Sequence, residues 1–366
     1  MATLQEMLQI GGSAKGAEKI ALKLVREKGS KFLLDLGLLY ALQGKIKKSR
    51  DICERASKVF PDDHRVLYNR GWHVMMQGDL LGGFTLINKG RDAGLWGSLP
   101  IGSIKPIWNS EDINGKHVLF NCEAGFGDQI TFVRFIKNIA ERGAKVTAIC
   151  NPGLAPIFAR MPEVSAVAQP EAALGVYHDY WIPSMLVPVV LKTQFADLAG
   201  CSYLTPNPQY VKKFAPYINS DKLKVGLRWL GQDGPNYCNR IFPRELLFEA
   251  ATQDHCQLYS LQKDHSEDGL PNQIIDLEVL LETWEDTAGA IANLDLVISS
   301  CTSVAHLSAA MGKETWIIPP LMFYFIWSYP GPKSPWYDSV TLFRQEKYDE
   351  WKQPFDKIKK RLSERR

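Results

Sequence analysis

No run of about 18 apolar residues occurs anywhere in the 366-residue chain, which excludes a membrane-spanning helix. Cysteine is sparse: the seven residues (Cys53, Cys122, Cys150, Cys201, Cys238, Cys256 and Cys301) are scattered and never spaced as CxxC. An odd, dispersed set speaks against a disulfide framework or a zinc site and fits a reducing compartment. Neither sign of charge dominates, since 43 Lys+Arg against 40 Asp+Glu leave a net +3, too little for a dedicated nucleic-acid binder. The opening segment has no basic stretch followed by an apolar one, so no secretory signal is expected, and the scattered cysteines suit a cytoplasmic protein. No DxD pair is placed like a metal site; Asp62-Asp63 falls between helical segments, and no metal or other cofactor is expected. What is present, 45% hydrophobic and 23% charged residues, is the composition of a globular protein, and the length suits two or three domains.

A repeat of 34 residues marks the amino-terminal part. Gly37-Leu38-Leu39-Tyr40-Ala41-Leu42-Gln43-Gly44 aligns with Gly71-Trp72-His73-Val74-Met75-Met76-Gln77-Gly78. Each block precedes a second apolar-periodic stretch, Ile46 to Phe60 and Leu80 to Lys89, and Pro61-Asp62-Asp63 separates the repeats. A small residue in a first helix admits a close second helix, and a second glycine turns the chain between them, the logic of the tetratricopeptide repeat. Residues 13–30 supply a degenerate partner helix, and residues 1–105 form this all-α region. It reads equally as a plain helical cap or as a groove for an acceptor protein or peptide.

From Pro106 the pattern becomes α/β. Buried strands are predicted at 116–121, 145–150 and 164–167, with a helix over Gln129–Arg142 and a short one over Pro152–Met161. A second series follows: strands 224–229, 257–261, 274–277, 296–299 and 315–318, with helices over Pro243–Thr252, Thr287–Asn293 and Ser303–Met311. This alternation implies parallel βαβ units in two Rossmann-like domains, 106–215 and 216–348, facing across a cleft. Residues 202–222, rich in Pro, Tyr and Lys, read as an interdomain linker. Residues 349–366 form a terminal helix, whose basic tail Lys357–Arg366 reads as solvated.

The chemistry sits in the turns after the strands. Ser299-Ser300-Cys301-Thr302-Ser303 leads from a strand into a helix whose free amides and dipole suit a phosphate, with Thr302, Ser303 and His306 at its start. The same residues equally make an ordinary cap and a core histidine. Arg228 and Arg240 offer forked donors for a diphosphate. Gln262 and Lys263 follow a strand where a nucleobase edge would lie, and Asp286-Thr287 opens a helix that it caps or from which it meets a ribose. In the first half, Gly125-Phe126-Gly127-Asp128 forms a loop that lets a backbone approach closely and aims Asp128 at the cleft, unless Asp128 is a plain N-cap.

Several of these runs resemble one family. Gly125 to Arg134, Asp286-Thr287-Ala288 through Ser299, Thr302 to Leu307 with Gly312-Lys313, and Ser334-Pro335-Trp336-Tyr337 with Leu342-Phe343-Arg344-Gln345 resemble bacterial tetratricopeptide-repeat glycosyltransferases. These are related to the ADP-heptose:lipopolysaccharide heptosyltransferases of glycosyltransferase family 9 and, distantly, to O-linked N-acetylglucosamine transferase. The resemblance implies a GT-B fold and inverting, metal-independent transfer from a nucleotide diphosphate sugar. It implies Asp128 as the base and Thr302 and Ser303 as diphosphate contacts, with His306 beside them and Arg240 before the Phe242-Pro243 turn. The chain departs from the pattern at Cys301, where the family usually carries Asp. Two alternatives stand beside this reading: a non-catalytic interaction protein with a degenerate cleft, and an enzyme whose acceptor is a lipopolysaccharide-type glycan.

Overall fold

The computed structural model describes residues 6–7, 13–29, 32–92, 104–231, 242–263, 269–321, 324–347 and 350–365. After the helical residues 6–7 come α1 (Ala14–Lys28), α2 (Leu33–Leu42), α3 (Ile46–Val59), α4 (His64–Met76) and α5 (Leu80–Asp92). Ser13 caps α1 by accepting from Gly16 N, and Asp63 caps α4 by accepting from Arg65 N. Gly44 and Gly78, at φ 68° and 93°, turn the chain within the α2–α3 and α4–α5 hairpins, a conformation that costs glycine no Cβ clash. At Gly71 a Cβ would lie 2.7 Å from the carbonyl oxygen of Gly83, so α4 and α5 approach as closely as the repeat pattern predicts.

The helical region divides in its packing. Helices α1 and α2 share a small core with Met7 and Phe32. Helices α4 and α5, through Met75, Leu80, Phe84 and Ile87, instead join the main core of the molecule. Phe84, wholly buried, meets Phe132 at 5.7 Å, Phe325 at 5.5 Å and Trp336 at 6.4 Å between ring centres, so one side chain touches both α/β lobes.

The first lobe is a four-stranded parallel sheet in the order β3-β2-β1-β4, with β1 (His117–Asn121), β2 (Lys145–Ile149), β3 (Ala166–Ala168) and β4 (Tyr180–Pro183). Its helices are α6 (Phe126–Phe132), α7 (Ile136–Ala140), α8 (Ala155–Phe158) and α9 (Val187–Val190). The predicted helix over Gln129–Arg142 begins three residues earlier and is broken by a 3-10 turn at Val133–Phe135. The expected linker holds a helix, α10 (Pro208–Phe214), capped by Asn207 and started by a proline at its first position.

The second lobe is a six-stranded parallel sheet, β10-β9-β8-β5-β6-β7. Its strands are β5 (Leu223–Arg228), β6 (Cys256–Ser260), β7 (Ile274–Asp276), β8 (Leu296–Ser300), β9 (Thr315–Ile318) and β10 (Val340–Leu342). Among the described residues, its helices are α11 (Arg244–Ala251), α12 (Trp284–Asn293), α13 (Ser303–Ala310) and α14 (Lys352–Ser363). Against the expectation of a solvated tail helix, α14 buries Phe355, Ile358 and Leu362 in the second lobe's own core. Their spacing puts three apolar side chains on one face.

Candidate active site at the joint of the two lobes

Both central strands, β1 and β8, run into helices whose first turns meet. After β1 the chain passes Glu123 and then Ala124, which takes φ 59°, a left-handed conformation that strains a residue with a Cβ by roughly 1–3 kcal/mol. Glu123 is wholly buried, receives both arms of the Arg91 guanidinium from α5, and accepts from Met185 N at 3.0 Å. Burial pushes its carboxyl above the ordinary value, and Arg91 draws it back. Phe126, Gly127 and Asp128, expected on a loop, form the first turn of α6. Asp128 closes that turn on itself, its Oδ2 accepting from Gly125 N at 3.0 Å, while its Oδ1 accepts from the Tyr324 hydroxyl of the second lobe.

Helix α13 starts differently. Thr302 has the extended backbone of an N-cap, yet its side chain makes no capping hydrogen bond. Its hydroxyl lies 3.1 Å from Ser299 Oγ instead. Ser303 is half-buried at the first helical position. Cys301, buried, accepts from the Trp327 indole at 3.0 Å. His306 is clamped: Nδ1 lies 3.0 Å from Thr131 Oγ1 and 3.1 Å from the Tyr337 hydroxyl, and the ring stacks on Trp327. A Cβ on Gly127 would lie 3.0 Å from His306 Cδ2 and 3.6 Å from Ser303 Cα, so the glycine is what lets the two helix starts touch. The structure therefore brings Gly127 against Ser303 and His306, with Asp128 and Thr302 next to them in the chain.

The other predicted donor residues have local duties. Asp286, 2% exposed, forms a capping box with Thr283 and pairs with Lys213 at 2.6 Å. These partners hold its carboxyl below the ordinary value despite the opposing effect of burial, which is the largest single influence. Thr287 donates back to Thr283 O at 3.2 Å. Gln262 is buried with Oε1 on Trp229 N and Leu230 N, tying the ends of β5 and β6 together rather than presenting an edge. Arg228, at the end of β5, donates to Leu261 O at 3.0 Å. Lys263 is exposed and reaches Glu282 O at 3.4 Å. Arg240 lies outside the described residues.

Sequence reasoning missed Tyr324, whose only local signal is a tyrosine in an aromatic stretch, and the buried Arg91–Glu123 pair beneath the loop. It also gave no role to Arg134. That guanidinium is enclosed by the rings of Tyr203 and Tyr337, at 4.6 and 4.5 Å, and donates to Thr131 O, bracing α6 from behind. Phe126 packs on Trp284 at 5.0 Å, and Arg160 pairs with Glu285, so α12 also abuts the first lobe. Among the described residues, no group of three or more His, Cys, Asp or Glu could hold a metal ion.

No protein-family model matches the chain. Protein FlbA of Caulobacter vibrioides is 24% identical over 286 residues, 69% of this chain and 47% of that protein, so the chain spans about half the length of the curated relative it matches. Among solved structures, a family 9 glycosyl transferase of Veillonella parvula superposes with a TM-score of 0.51 at 10% identity, covering 65% of this chain and 88% of that one. The ADP-heptose lipopolysaccharide heptosyltransferase II of E. coli superposes with a TM-score of 0.49 at 14% identity, covering 68% and 96%. The fold is thus GT-B: two parallel α/β lobes meeting at the carboxyl ends of their strands.

Proposed function

We propose that the chain is a glycosyltransferase that moves a sugar from a nucleotide diphosphate sugar to an acceptor hydroxyl, with inversion and without a metal. The observation that carries this reading is the contact between the α6 turn bearing Asp128 and the α13 start, whose N-cap threonine does not cap. In a direct displacement, one carboxylate takes the acceptor proton as the oxygen attacks the anomeric carbon, and Asp128 fills that role. The departing diphosphate gains negative charge, which the first-turn amides of α13, the Thr302 and Ser303 hydroxyls and the Arg228 guanidinium stabilise. The acceptor, a protein, peptide or glycan, enters from the side of the helical region.

The test is transfer or hydrolysis of UDP-, GDP- and ADP-sugars by the wild type and Asp128→Asn. Asparagine keeps an oxygen for Gly125 N, so the turn survives, less the roughly 0.3–1 kcal/mol that a carboxylate gains at a helix start. The lost base lowers turnover roughly 10²–10⁴-fold. Unchanged turnover would sink the assignment. The non-catalytic alternative, favoured by Cys301, predicts a calorimetric titration in which no nucleotide binds at millimolar concentration.

A further inference from the structure

Resting on Asp128 as the base, we infer that Tyr324 is a positioning residue for its carboxylate, and that Trp72 of the helical region holds Tyr324 in place. One carboxylate oxygen is committed to the amide of Gly125 and the other to the Tyr324 hydroxyl. Bonds at both oxygens fix the carboxylate's rotation, so its remaining lone pairs keep one direction. Tyr324 itself sits just before a short 3-10 turn, Phe325–Trp327, and lies edge-on to Trp72 of α4 at 5.8 Å and 75°. Trp72 also meets Phe325 at 5.8 Å, and Phe325 meets Phe84 of α5 at 5.5 Å. Rings of the amino-terminal hairpin α4–α5 therefore back the residue that donates to the candidate base. The same hairpin supplies Arg91 to the buried Glu123 on the other side of the loop. The helical region is thereby part of the catalytic apparatus and not only a tether for an acceptor.

A phenol that donates to a carboxylate favours its charged form. Among the described residues, Glu123 acts on Asp128 from its own loop, a like charge paired with Arg91 of α5, and His306 of α13 lies against the neighbouring Gly127. These groups stay in place in Tyr324→Phe, so the variant removes the hydroxyl and keeps the ring.

The experiment compares full-length wild type, Tyr324→Phe, Trp72→Ala and Trp72→Phe, with Asp128→Asn as reference. Turnover of the best nucleotide sugar is followed against pH, and the aspartate side-chain carboxyls are titrated by carbon NMR. The Asp128 signal is identified by its loss in Asp128→Asn. In Tyr324→Phe, kcat falls about tenfold, the size of a lost hydrogen bond to a charged group, while the donor KM stays within about twofold. The acid limb of the profile and the Asp128 titration both move to higher pH, which a merely structural contact would not cause. Trp72→Ala moves both in the same direction by less, and Trp72→Phe restores them. If Asp128→Asn is inactive but Tyr324→Phe leaves the limb and the titration where the wild type has them, the positioning role is overturned while the base assignment stands. If Asp128→Asn retains turnover, the base assignment falls and the positioning role with it. Should no sugar be turned over, an unmoved NMR titration in Tyr324→Phe overturns the inference on its own.

Discussion

The starts of α6 and α13 occupy equivalent places, each following a central strand of its parallel sheet, yet they treat their exposed amides in opposite ways. Helix α6 carries its own anion: Asp128, three residues in, turns back to Gly125 N. Helix α13 carries a residue type that normally caps, Thr302, and spends its hydroxyl on Ser299. An unused threonine cap forgoes about 1 kcal/mol of helix stability. One lobe thus keeps a carboxylate at the joint, and the other keeps an electropositive helix end. A strand-to-helix turn built twice supplies, through two side-chain choices, the two opposite charges that the proposed displacement needs.

The largest effect comes from undermining the α6 side. Arg91→Met preserves the aliphatic stem but leaves Glu123 alone in the core, which costs about 3–5 kcal/mol. The pH dependence has a definite sign. Burial already raises the Glu123 carboxyl above 4.5, and without Arg91 it rises further. A carboxyl raised in the folded state contributes stability that is fully present below its unfolded value and lost as pH climbs through the folded one. Urea unfolding of Arg91→Met therefore shows a smaller loss at about pH 5 than at about pH 8. Equal losses at both would mean that Glu123 is already neutral in the wild type. Helix α13 is untouched, so each folded molecule keeps its nucleotide affinity.

The comparison of the two helix starts was largely legible in the sequence, and its supports were not. Parallel strands buried on both faces appear as continuous apolar runs, which is why β1, β2, β5, β6, β8 and β9 could be read directly. β4 and β10, four and three residues long, were not read as strands, although β3 and β7, three residues each, were. Pro208 looked like a linker residue because proline breaks helices, whereas at a first helical position it begins one. Asp128, Thr302 and Ser303 stand out because strand-to-helix turns place side chains predictably. Tyr324 donates to a carboxylate 196 residues away, a contact that only tertiary packing creates. Gln262 and Asp286 show the converse: polar side chains in the right loops whose bonding capacity is taken up by neighbouring backbone and caps.

The α13 side is sharpened by a substitution that moves stability and binding in opposite directions. Ser303→Asp places a carboxylate at the first helical position, where the helix dipole stabilises it by about 0.3–1 kcal/mol. In a chain of this size that raises Tm by about 0.5–1.5 °C. The same charge repels a diphosphate, so affinity for the preferred nucleotide falls at least about tenfold, roughly 1.4 kcal/mol. Thermal unfolding and calorimetric titration read the two effects separately. A variant that is stabilised and still binds nucleotide like the wild type would make the α13 start an ordinary helix end.

The smallest effect tests the contact between the two starts. Gly127→Ala gains up to about 1 kcal/mol of helix propensity for α6. It also places a methyl group 3.0 Å from His306 Cδ2, so something must yield by a few tenths of an ångström. His306 has little room to yield, being stacked on Trp327 and bonded to Thr131 and Tyr337. The relief therefore comes from α6 easing away from α13, and the gain and the strain nearly cancel. Tm shifts by no more than about 2 °C. Turnover falls severalfold, because a reacting pair held across a joint is sensitive to displacements well below an ångström. Full activity in Gly127→Ala would show that the spacing between the two helix starts is not what the chemistry depends on.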